Sequence, residues 1–77
     1  MGLDHDRLCT IIKSSTEDPN VKDAALRQLA RWVNPEVRSY YLEVVLETFN
    51  NPANWEWINK DTSTVLHELT SKLPTLS

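Results

Sequence analysis

His5 and Cys9 stand four residues apart, the spacing that makes two side chains neighbours on a helix, and a thiol beside an imidazole is the pair that generates a reactive thiolate. No orienting group and no local signature of a cysteine enzyme accompany them. We therefore expect Cys9 to be a small buried thiol and the protein not to be an enzyme. His67 precedes Glu68, but the run HELTS lacks the second histidine of a HExxH zinc motif. With Cys9, His5 and His67 the chain is one ligand short of a structural zinc site, so neither a metal nor any other cofactor is expected. Glu43 and Glu47 share a helical face, where an exposed acidic pair is ordinarily a solvated surface.

Three arginines raise a second chemistry. Arg27, Arg31 and Arg38 flank a short turn at 33–35, and two helices joined there would imitate a helix-turn-helix. The segment in the recognition position carries Glu36, Glu43 and Glu47 along its polar seam, which would set like charge against the phosphates. The whole chain has eleven acidic and eight basic side chains, a net charge of −3, the wrong sign for binding carried by phosphate contacts. A nucleic-acid-binding regulator is the alternative function, and anionic membranes are disfavoured on the same ground.

The aromatic residues say more. Trp55 falls in phase with Ile58, Val65 and Leu69, so it reads as core, whereas Trp57 lies on the other side and either packs on the first helix or meets a partner. Tyr40 borders the acidic seam of its helix. A surface of Tyr40, Glu43, Glu47 and Trp57 would be acidic and aromatic, suited to a protein partner that is basic and apolar. These four are the candidate partner-binding residues.

The helices that carry these side chains are marked out by punctuation. Asp18-Pro19, Asn34-Pro35 and Asn51-Pro52 each combine a favoured N-cap with a proline whose fixed φ suits the first helical position. The only glycine is Gly2, which disfavours hairpins and phosphate-cradling loops. The expected helices run over about 4–14, 19–33, 35–49, 52–59 and 61–73, a break near 59–61 being marked by weak helix formers. On a helical wheel the 19–33 segment leaves one polar seam of Asp23, Arg27 and Arg31, and the 35–49 segment is apolar over a still broader arc. The stretch DPNVKDAALRQLARW resembles the second helix of a HEAT-type repeat, but NPEVRSYYLEVVLETF comes only sixteen residues later, too soon for a two-helix unit, so the likeness is one of capping and amphipathicity.

The reading is an all-α, compact bundle of four to five short helices, with helix 35–49 central, in one 77-residue domain. A chain of this length buries only about 60% of the surface it exposes when unfolded. Surplus apolar arc therefore points to a homodimer. With one cysteine and no apolar run long enough for a signal-peptide core or a membrane span, the expected setting is the reducing cytoplasm, with no membrane partner. The function expected is a small protein-protein interaction module, such as an adaptor, chaperone, inhibitor or immunity-type regulator, acting by binding.

Overall fold

All three proline steps make the same local bond. The side-chain oxygen of Asp18, Asn34 or Asn51 accepts from the backbone N–H two residues on, at Asn20 (2.7 Å), Glu36 (2.9 Å) and Ala53 (3.1 Å). Such turns reverse the chain without a left-handed residue, and among the described residues none has positive φ. The structure, a computed structural model, describes residues 2–74. They form α1 (Gly2–Lys13), α2 (Pro19–Trp32), α3 (Tyr40–Asn50), a 3-10 turn (Pro52–Glu56) and α4 (Lys60–Ser71). The all-α bundle is as expected.

The three turns lead to different structures. After Asp18-Pro19 the amphipathic run continues, and α2 forms. After Asn34-Pro35 the chain makes one turn, closed by the Val37 N–H on the Asn34 carbonyl, and does not propagate. Helix 35–49 is therefore corrected at its start: Ser39 is the true N-cap, its hydroxyl accepting from the Leu42 N–H at 3.1 Å. Asn and Ser are comparable caps, so packing makes the choice: the helix begun at Ser39 buries Leu42, Val44 and Val45 in the core. Ser39→Ala should cost about 1 kcal/mol of stability in urea unfolding. Asn34→Ala, which removes a turn that starts no helix, should cost less.

The third step, Asn51-Pro52, gives a single 3-10 turn where a helix over 52–59 was expected. The reason lies at the end of α3, whose last carbonyls need partners. Asn54 Nδ2 donates to the Thr48 carbonyl at 2.9 Å, and Trp55 Nε1 donates to the Phe49 carbonyl at 2.9 Å. These bonds fold the 3-10 turn back on α3 and stop it from lengthening. Trp55 is consequently not core: it is 58% exposed.

The bundle is organised around α2, which packs against α1, α3 and α4. This corrects the expectation that helix 35–49 is central. Leu26 and Leu29 of α2, Val45 of α3 and Leu66 of α4 are fully buried, with Cys9 and Ile12 of α1 packed into the same cluster. α2 carries small Ala25 and Ala30 on its buried face, so neighbouring helices can approach it closely. α3 offers mostly Val, Leu and aromatic side chains, and it meets α4 through Phe49 edge-on to His67, with ring centroids 5.1 Å apart.

Asp23, expected on the one polar seam of its helix, is 2% exposed. Its Oδ1 accepts from the Asn59 backbone N–H at 2.8 Å, and its Oδ2 accepts from Asn59 Nδ2 at 2.9 Å and from an Arg27 guanidinium nitrogen at 3.1 Å. The same Arg27 nitrogen donates to the Thr62 hydroxyl at 3.1 Å. Asn59 is the N-cap residue of α4, yet its side chain makes no cap bond because it is turned to Asp23. A carboxylate from α2 thus fixes where α4 begins. Thr62 is fully buried beneath this cluster, and every buried side-chain polar atom among the described residues has a partner.

Candidate interaction surface

The described surface carries five exposed large apolar side chains, Val21, Trp32, Val37, Tyr40 and Trp55. Trp32 is 47% exposed because it occupies the last turn of α2, past which no element continues to cover it. Val37 is 55% exposed because it lies in the non-helical connection that proline turn 34–37 creates. Both line a cleft of about 240 Å³ together with His5, Val33 and Tyr41.

The walls of that cleft are fixed by ring packing. His5 sits with its ring centroid 5.2 Å from Trp32 and 4.9 Å from Tyr41, tilted to each. Tyr41 donates its hydroxyl to Asp6 Oδ1 at 2.7 Å, and that bond holds the phenol protonated above the ordinary tyrosine range. Tyr40 lies edge-on to Tyr41 at 5.7 Å and is 58% exposed. Aromatic side chains held in place by such contacts lose little conformational freedom on binding, which favours them as anchors.

The four residues expected to bind a partner do not form the acidic face their sequence positions suggest. Tyr40 lies beside the aromatic cleft, edge-on to Tyr41, and its hydroxyl accepts from Lys13 Nζ at 2.6 Å. That bond holds the lysine charged above its usual range. Glu43 pairs with Arg38 Nε at 2.8 Å. Glu47 is exposed and shares a second cleft with Lys13 and Lys22. Trp57 is half-buried against the core, with Lys22 Nζ 4.8 Å from its ring centre. The face is therefore mixed in charge, because α1 and the start of α2 bring two lysines to it.

Sequence reasoning missed Trp32 and Val37 as exposed groups. On a wheel both fall within apolar arcs, and only the loss of helix over 35–39 leaves them uncovered. The signal that could have found them is Ser39 with Tyr40 and Leu42 after it, a helix start competing with Asn34-Pro35.

Of the three arginines, Arg27 is engaged by Asp23 and Thr62, Arg38 by Glu43, and Arg31 is exposed. Cys9 is buried in the core, and burial is the chief reason its thiol is pushed up from the ordinary value, Asp6 adding to the rise and Lys13 opposing it. A reactive thiolate needs the opposite shift. Iodoacetamide should alkylate Cys9 at neutral pH about tenfold or more slowly in the folded protein than in urea, and equal rates would contradict a buried thiol. Among the described residues no three His, Cys, Asp or Glu side chains converge as a metal site, and no helix is long and apolar enough to cross a membrane.

Comparison with protein-family models, with curated proteins and with solved structures finds no match to this chain.

Proposed function

We propose that this chain is a protein-interaction module, an adaptor, chaperone, inhibitor or immunity-type regulator that acts by binding, and that its docking face is the aromatic surface where α2 gives way to α3. The observation that carries the reading is the gathering of Trp32, Val37 and Tyr40, three of the large apolar side chains left exposed, around the rings of His5 and Tyr41. Contiguous apolar surface on a soluble fold marks a contact site more often than chance exposure does. Asp4 and Asp6 of α1 and Glu36 beside Val37 are exposed acids near the ends of the same elements, which supports a partner whose surface is apolar with a basic rim. Glu43 and Glu47 extend the polar margin along α3.

A second copy of the chain is the first occupant to consider, since a homodimer would cover this surface without another gene product. Light scattering on a size-exclusion column across concentration tests it. A mass that rises to twice the monomer supports the dimer; a constant monomer mass removes it and leaves the face to a different protein. The buried, lone thiol supports a reducing, cytoplasmic setting. Retention on immobilised duplex DNA that falls with salt and with Arg31→Ala would instead favour the helix-turn-helix-like regulator.

A further inference from the structure

A separate groove of about 440 Å³ lies between Phe49, Trp55 and Ile58 on one side and Lys60, Ser63 and His67 of α4 on the other. Its lining residues are distinct from those of the aromatic cleft. We propose that this groove docks a short acidic peptide segment of a partner protein through one apolar side chain flanked by carboxylates.

Two features of the walls carry the assignment. The apolar wall is preorganised: Trp55 stands 58% exposed, yet its ring is anchored by the 2.9 Å bond from Nε1 to the Phe49 carbonyl, and Phe49 is itself braced against His67. An exposed indole tied down at its only donor presents a flat face ready for an apolar side chain, with little freedom left to lose. The opposite wall carries a cation. Lys60, Ser63 and His67 fall at i, i+3 and i+7, one stripe of α4, and the lining contains one lysine and no carboxylate.

On a chain of net charge −3 this pairing of an aromatic wall with a lysine and no acid selects an anionic ligand. Lys60 makes no ion pair among the described residues, in contrast with Arg27 and Arg38. A peptide fits better than a free small molecule because the groove is open along the α4 stripe, which spans two helical turns between Lys60 and His67.

The test uses the whole chain labelled with nitrogen-15 and an acetylated, amidated heptapeptide with one phenylalanine at its centre and glutamates around it. Chemical-shift changes should saturate on titration and fall on residues 49–67. Lys60→Glu, a change at an exposed side chain that leaves the fold intact, should raise the Kd about tenfold, as should Trp55→Ala. The same peptide with lysines for glutamates should bind at least about tenfold more weakly. No shifts at about 1 mM peptide, equal binding of the lysine peptide, or a response confined to residues 32–41 would each overturn the proposal. Phenylpropionate binding as tightly as the peptide would also overturn it, by making the groove a small-molecule site. Because the aromatic cleft reports through different residues, failure here is separable from failure of the α2–α3 face.

Discussion

Asp23→Ala should cost about 3 kcal/mol and lower the thermal midpoint by on the order of 15 °C, since one kcal/mol moves a domain of this size by roughly 4–8 °C. The size reflects the groups that the substitution strands. Asp23 is 2% exposed and satisfies the Asn59 backbone N–H, the Asn59 amide and the Arg27 guanidinium together. Alanine leaves those donors facing a hole, and a buried donor without an acceptor costs about 1–3 kcal/mol. The lower end of the range for broken buried ion pairs applies, because the Arg27 side chain is 31% exposed and can regain water. Asp23→Asn keeps an acceptor for the backbone N–H while losing the charge, so about half the loss is expected. Urea unfolding monitored by circular dichroism measures both. A loss below about 1 kcal/mol for the alanine variant would show that Asp23 does not hold α4 in place.

Trp32→Ala should weaken association through the α2–α3 face by about 30-fold, corresponding to the roughly 2 kcal/mol that separates an aromatic hot spot from its neighbours. The fold should be nearly unaffected, since Trp32 lies on the last turn of α2 and is 47% exposed, so its removal opens no core cavity. Tyr40→Ala should have a smaller effect: it deletes a 58% exposed ring but also frees Lys13 from its 2.6 Å bond. If the chain dimerises, sedimentation equilibrium of wild type and variants reads the change in Kd directly. Should the wild type be monomeric, the same variants are compared for retention of a heterologous partner. An unchanged Kd for Trp32→Ala would place the contact elsewhere.

The all-α class was legible from apolar periodicity, the absence of glycine past Gly2 and the proline steps. α2 was legible to within one residue, because the Asp18 cap and a sustained amphipathic run point the same way, whereas α1 begins two residues before its expected start. The candidate surface was half legible. Tyr40 lies at an exposed junction as its position beside the polar seam suggested. Of the two tryptophans of NWEW, Trp55, which the wheel reads as core, is exposed, and Trp57, which the wheel leaves between packing and a partner, packs against the core. A wheel presumes a helix, and one turn of 3-10 pinned to the carbonyls of α3 has a different period and direction.

Local chemistry was written in the chain itself: three Asx turns around proline and the helical character of most of its length. Side-chain oxygen, proline ring and the next amide lie within three residues, so those bonds form whatever the rest of the chain does. Which turn grew into a helix, which helix became the hub and which polar residue was buried were settled by packing. Those outcomes depend on groups far apart in sequence, such as Asp23 with Asn59, or on one element folding back over another, as Trp55 does at the end of α3. A seam residue with a distant donor to satisfy is stable in the interior, where the same residue alone would stay in water.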